Sequence, residues 1–133
     1  MNASDLKQVR LFEELSDSEL REIAKQVREV RHLPGSQVII RGEGGIGFTV
    51  ILAGTALIHT SDGRTRTLGP GEYFGEMSLL DQELRSADVT AETELHCATI
   101  PEWGFERFLA EHPKVSFRLL QTLSRRLREA ENR

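Results

Sequence analysis

Two charged side chains, Glu76 and Arg85, stand in a setting suited to gripping an anion that carries a neighbouring hydroxyl. The run Tyr73-Phe-Gly-Glu-Met-Ser-Leu-Leu-Asp81 is followed closely by Leu84-Arg-Ser-Ala-Asp-Val89. Phe74-Gly75 reads as a glycine-ended strand, and Glu76 to Leu80 as a short potential helix. Free backbone N–H groups at such a helix start form an anion site. Gly75 lets a ligand come close to the backbone. Arg85 lies within a small, apolar run (Ser86, Ala87, Val89) and offers a permanent, forked positive charge suited to a phosphate. Glu76, an acceptor-only carboxylate, suits a hydroxyl donor. Together these groups fit a ligand with one anionic phosphate and a sugar hydroxyl. A plain Arg85–Glu76 salt bridge at a turn fits the same spacing, and the residues alone leave both readings open.

The elements that must position this stretch fall into three zones. Ser16-Asp17-Ser18-Glu19 reads as a capping box, with Leu20, Ile23, Ala24 and Val27 behind it on one helical face. A shorter helical piece, about Asp5 to Phe12, precedes it, so helices occupy about 5–27. From about 27 to 100 short alternating runs are separated by turn residues: Pro34-Gly35, Gly42-Glu43-Gly44-Gly45, Ala53-Gly54, Ser61-Asp62-Gly63 and Gly69-Pro70-Gly71. Nine of the 11 glycines lie between Gly35 and Gly71, which concentrates the turns there and predicts a barrel or jelly roll. Helices return over about 101–132. Pro101 sits where one can begin, and Trp103, Phe105, Phe108 and Leu109 form its apolar stripe. Pro113 starts another, carrying Val115, Leu119, Leu120, Leu123 and Leu127.

The two runs around Glu76 and Arg85 resemble the phosphate-binding cassette of the cyclic-nucleotide-binding domain family. That cassette reads Phe-Gly-Glu, an aliphatic residue, Ala or Ser and two aliphatics. After a short insertion come Arg, then Ser, Thr or Ala, then Ala. Here Phe74, Gly75, Glu76, Met77, Ser78, Leu79, Leu80, Arg85, Ser86 and Ala87 match it. Gly42-Glu43-Gly44-Gly45 with Phe48 to Gly54, and Leu68 to Phe74, are similar to the family's earlier turn and its approach to the cassette. The resemblance covers roughly Val9 to Leu127. It implies an α+β chain, mainly β: an eight-stranded jelly-roll-like barrel with N-terminal helices, a cassette at 74–87 and two C-terminal helices, in one domain over 1–133. It also implies that Glu76 accepts a hydrogen bond from the ribose 2′-OH and that Arg85 pairs with the cyclic phosphate. Backbone N–H groups near Gly75, Met77, Ser78 and Ala87 complete the contacts, Ser86 adds its hydroxyl, and the C-terminal helix supplies a lid. The ligand is cAMP or cGMP. Ser86 occupies the position where some cGMP-preferring members have Thr and cAMP-binding members have Ser, and cAMP is the expected ligand.

Three positions depart from the family pattern: Thr49, where an aromatic is common; Ile46, where Asp or Thr is common; and Asp88, where Thr or Ser is frequent. The first two are expected to affect barrel packing. Asp88 would repel a phosphate if it faced the pocket, but strand alternation puts Ala87 and Val89 on one face and Asp88 on the other. Other reactive residue types carry no comparable pattern. His32, His59, His96 and His112 lack metal-ligand spacing, so a metal-dependent cupin is not expected. Cys97 reads as a packed thiol in a strand. Ser78 and Ser86 have no His/Asp companions of a hydrolase. No catalytic residue and no cofactor is expected. Trp103, Phe105 and Phe108 read as core between barrel and helix.

Bulk properties fit one domain of ordinary soluble composition. The chain has 133 residues, 38% hydrophobic and 29% charged, with a mean hydropathy of −0.35. No apolar run is long enough for a membrane span, and no secretory leader is visible. One cysteine suits a reducing compartment, so cytoplasm is expected. A net charge of −4 argues against direct nucleic-acid contact. Positive charge gathers from Lys114 onward, as either a solvated helix face or a docking surface for a partner. Only six residues follow Leu127, so no helix-turn-helix reader is expected here, and the effector is an unknown protein or a fused domain. The alternative function is an interaction module whose pocket no longer binds cyclic nucleotide. In that reading Leu120, Leu123, Leu127 and Ala130 make a short seam for a homodimer, against the simpler option that they pack on their own barrel. Intact Glu76 and Arg85 argue against decay of the pocket.

Overall fold

Ser16 and Glu19 close the predicted capping box at the start of helix α1 (Asp17–Gln26). The Ser16 hydroxyl accepts the Glu19 N–H at 3.1 Å, and the Glu19 carboxylate accepts the Ser16 N–H at 3.1 Å. Two donors that a helix start would leave unpaired are thereby satisfied. The piece before α1 is not one helix but two 3₁₀ turns, Ala3–Leu6 and Arg10–Phe12. The computed structural model describes residues 1–39, 47–60, 63–75 and 87–132.

Eight strands follow among the described residues: β1 (Arg28–His32), β2 (Gln37–Ile39), β3 (Gly47–Ala53), β4 (Ala56–Thr60), β5 (Thr65–Leu68), β6 (Tyr73–Phe74), β7 (Ala87–Ala91) and β8 (Leu95–Pro101). They form two four-stranded sheets, ordered β1-β8-β3-β6 and β2-β7-β4-β5, with every pairing antiparallel. Early and late strands interleave in each sheet, the arrangement of a double-sheet jelly roll. Among the described residues the jelly-roll-like barrel is built from these two sheets, with no strand of one pairing with a strand of the other.

The sheets meet over a core that includes Ile51, Phe74, Leu95 and Cys97 from the first and Ala56, Ile58, Leu68 and Val89 from the second. The outer face of the first sheet is covered as well. Phe48, Val50, Leu52, Ala98 and Ile100 pack with Leu20 and Ile23 of α1, with the 3₁₀ turns, and with the C-terminal helices. Central strand β3 is therefore buried on both faces through Leu52, and reads as a nearly continuous apolar run rather than an alternation.

The C-terminal helices are α2 (Phe105–Glu111) and α3 (Pro113–Glu131). Pro113 occupies the first turn of α3, as its fixed φ and missing N–H favour. Pro101 ends β8 and also caps the start of the 3₁₀ turn Glu102–Gly104, so a short helical turn does begin there. One expectation needs correction here. Trp103 is not core: it stands 81% exposed on the 3₁₀ turn Glu102–Gly104. That turn lies before α2, so Trp103 is out of phase with Phe105 and Phe108, which are buried.

One glycine ties these layers together near the cassette. Gly71 has φ 89°, donates its N–H to the Ile51 carbonyl at 2.8 Å and accepts the Arg10 N–H at 3.3 Å. A Cβ there would come within 2.7 Å of the Gln8 carbonyl oxygen. Only glycine fits both the left-handed backbone and the close approach.

Candidate cyclic-nucleotide site

The cassette is flanked by strands β6 and β7. β6 is the edge strand of the first sheet and pairs with β3 through Thr49↔Phe74 and Val50↔Tyr73. It ends at Gly75, whose φ of 96° turns the chain in a conformation that favours glycine. β7 resumes at Ala87 in the middle of the second sheet, between β2 and β4. The two flanks thus belong to different sheets. Of the predicted site residues, Gly75 and Ala87 are described. Glu76, Met77, Ser78, Arg85 and Ser86 lie outside the described residues, as do Gly42-Glu43-Gly44-Gly45 and Ile46.

The walls next to these flanks explain the departures from the family pattern. Ala87 packs against the core between the sheets, and Val89 is buried within it. Asp88 falls on the other face, where it pairs in register with His59 of β4 and is half-buried. The carboxylate therefore points away from the inter-sheet core. Thr49 is fully buried on the inner face of β3. Its hydroxyl lies 3.1 Å from that of Thr99, its register partner on β8. The two hydroxyls satisfy each other where an aromatic would have filled space. Removing one would strand its partner at a cost of about 1–3 kcal/mol.

The reactive residue types nearby are quiet. Cys97 is fully buried, and burial pushes its thiol up to about 11, so it stays protonated and poorly nucleophilic at neutral pH. Burial also lowers the His32 imidazole below its ordinary range. Among the described residues, no three His, Cys, Asp or Glu side chains converge.

Helix α3 is held to the domain by its first half. Val115 and Leu119 are buried. Arg118 donates to the Arg10 carbonyl at 3.1 Å and pairs with Glu13 and Glu14, each at 3.3 Å. Lys114 reaches Glu19 of α1 at 3.0 Å. Further along, Leu120 and Leu127 are exposed at 63% and 60%, with Phe117 beside them at 62%. Leu120 and Leu127 therefore do not pack on their own barrel. The Arg118 clamp escaped the sequence reading because its partners lie more than a hundred residues away. The only sequence signal was the basic run from Lys114 onward.

The family model described as "Cyclic nucleotide-binding domain" matches residues 29–112, a span that contains the whole cassette and all of both sheets but Arg28. The chain belongs to this family. It is 30% identical over 132 residues to the CRP-like cAMP-activated global transcriptional regulator of Mycobacterium tuberculosis, covering 96% of this chain and 59% of that protein. It is 33% identical over 117 residues to the cGMP-dependent protein kinase of Eimeria tenella, covering 88% of this chain and 12% of the kinase. Among solved structures, the catabolite activator protein of Thermus thermophilus superposes with a TM-score of 0.80 at 30% identity, over 91% of this chain and 59% of that one. The chain thus spans well under two thirds of these relatives. It is a cyclic nucleotide-binding regulatory domain with the family's fold. Among the described residues no helix is long and apolar enough to cross a membrane.

Proposed function

We propose that this domain senses cAMP in preference to cGMP, holds it without hydrolysing it, and passes the event to α3. The observation that carries the reading is the family match through residues 29–112 with the cassette's two charges, Glu76 and Arg85, both intact in the sequence. In this reading Glu76 accepts the ribose 2′-OH and Arg85 pairs with the cyclic phosphate. N–H groups near Gly75, Met77, Ser78 and Ala87 complete the cradle, and Ser86 adds a hydroxyl. The left-handed turn at Gly75 supports a close approach of the ligand to the backbone, and the outward placement of Asp88 removes a repulsion. Ser86 and the cAMP-activated relative in M. tuberculosis support cAMP, with the cGMP-dependent kinase as the counterweight.

Coupling to α3 is a population shift: ligand contacts made only in a closed state favour that state. The helix suits this role because one face is anchored through Val115 and Leu119 while another exposes Leu120 and Leu127. The effector is a partner protein or a fused domain. The proposed compartment is the cytoplasm, supported by the single cysteine, buried as a free thiol. One observation favours a second reading, homodimerisation through α3: the exposed apolar row Phe117, Leu120 and Leu127.

Calorimetric titration with cAMP and with cGMP tests the proposal. Saturable binding of cAMP tighter than cGMP is expected, with cAMP recovered intact after prolonged incubation. Absence of binding to either nucleotide, or conversion of cAMP to AMP, defeats it.

A further inference from the structure

A cleft of about 220 Å³ opens between α3 and the turn that leads into β6. Five arginines line it: Arg10 from the second 3₁₀ turn, Arg66 from β5, and Arg118, Arg125 and Arg126 from α3. Among the described lining residues Glu72 is the one carboxylate, and it is engaged, accepting the Gly69 N–H at 2.9 Å. Arg118 is engaged too, by the Arg10 carbonyl, Glu13 and Glu14. Arg10, Arg66 and Arg125 make no ion pair with a carboxylate among the described residues.

This concentration of charge is opposite in sign to the chain, whose net charge is −4. Arg10, Arg66 and Arg125 line the same small cleft. They repel one another, and concave walls focus the resulting field. An anion seated among them would relieve that repulsion. The charged groups are guanidinium forks from three separate elements, a geometry that matches the several oxygens of phosphate groups. The rest of the lining includes Leu11, Leu68 and Tyr73, with no second aromatic ring among the described residues to sandwich a base.

We propose that this cleft binds a compact anion with two or more negative charges, of the di- or triphosphate class. Among the described residues the site shares none with the proposed cassette, and it stands whether or not that cassette takes a cyclic nucleotide. The anion would bridge α3 to the turn ahead of β6, fastening the helix where it lies.

The test is calorimetric titration of the full chain at about 0.05 M salt, where screening is weak. Inorganic pyrophosphate and ADP are titrated separately, without cyclic nucleotide. One saturable site per chain is expected. Arg66→Ala with Arg125→Ala should weaken it roughly tenfold or more, as loss of charge-assisted hydrogen bonds implies. Arg31→Ala, on the far edge strand of the first sheet and paired with Glu94, should leave it unchanged. Equal or tighter binding of pyrophosphate assigns free phosphate chains as the ligand. Tighter binding of ADP assigns a nucleotide. Both arginines replaced are surface side chains, and unchanged thermal unfolding of the double variant without ligand confirms an intact fold. Unsaturable heats, or equal affinity in the double variant, overturn the proposal.

Discussion

In the proposed nucleotide site Arg85 bears the heaviest electrostatic demand. The ligand carries one negative charge into a space partly shielded from water, beside Glu76 and Asp81 in the sequence. N–H dipoles at the predicted helix start amount to about half a charge, so a full positive charge is needed. Lysine supplies charge without the fork. Arg85→Ala should therefore cost about 2–5 kcal/mol of binding, and Arg85→Lys should also be damaging. Calorimetry and thermal unfolding measured together check this. Near wild-type affinity in a folded variant excludes the phosphate role, and an unfolded variant assigns Arg85 to a structural salt bridge with Glu76. Asp88 and Thr49, the departures that could have spoiled such a site, are accounted for by the geometry: one faces away from the inter-sheet core, and the other is hydrogen-bonded to Thr99.

The junction of α2 and α3 turns on His112, which is 7% exposed and lies with its Nε2 2.8 Å from the Gln26 side-chain oxygen of α1. Its ring packs against Phe108 at 4.9 Å. Burial holds the imidazole below its ordinary 6.5, while Glu111, Glu19 and Glu22 pull it back up. Between that lowered value and 6.5 the unfolded chain binds more protons than the folded one, so stability rises with pH there. The contribution is complete above 6.5 and is lost as pH falls through the window. His32, also lowered by burial, acts in the same direction. Glu19 is lowered from 4.5, first by the Ser16 backbone hydrogen bond and then by Lys114, so its effect falls below 4.5. Urea midpoints should thus drop between about pH 7.5 and about pH 5.5. His112→Gln should show a smaller drop, and an equal drop would remove His112 from the account. For α3 itself, the coupling proposal predicts slower amide exchange over Leu119 to Leu127 on saturation with cAMP. Slowing confined to the cassette would mean that this helix is not the lid.

At the scale of the whole molecule, a jelly roll wears, among the described residues, a helical cap on one of its sheets. The outer face of the first sheet is closed by α1, the 3₁₀ turns, α2 and α3. Because α3 uses Val115 and Leu119 for that contact, its other side is left with Phe117, Leu120 and Leu127 facing water. Three large apolar side chains on one helix surface form the kind of patch that marks an interaction site. A two-fold pairing of α3 helices would cover them in a self-complementary way. Sedimentation should therefore show a concentration-dependent dimer. Leu120→Glu with Leu127→Glu should be monomeric with an unchanged thermal midpoint. A wild-type chain that stays monomeric at high concentration rejects this interface.

Features fixed by neighbouring residues were legible in the sequence. The Ser16–Glu19 capping box, Pro113 at the first turn of α3, the alternation that separates Asp88 from Val89, and the order of helices, strands and helices all rest on local hydrogen bonds, fixed dihedrals or side-chain periodicity. The cassette was legible as a motif for the same reason, since its glycine, acid and arginine lie within a dozen residues. Tertiary structure decided what covers each surface. Trp103 is as apolar as Phe105, yet its turn leaves it in water. Leu120 is as apolar as Leu119, yet one helical step places it outside. The arginine cleft gathers Arg10, Arg66 and Arg125 from segments with no common period. Burial and field strength depend on which distant surfaces meet, and that is set by the packing of sheets against helices rather than by any spacing along the chain.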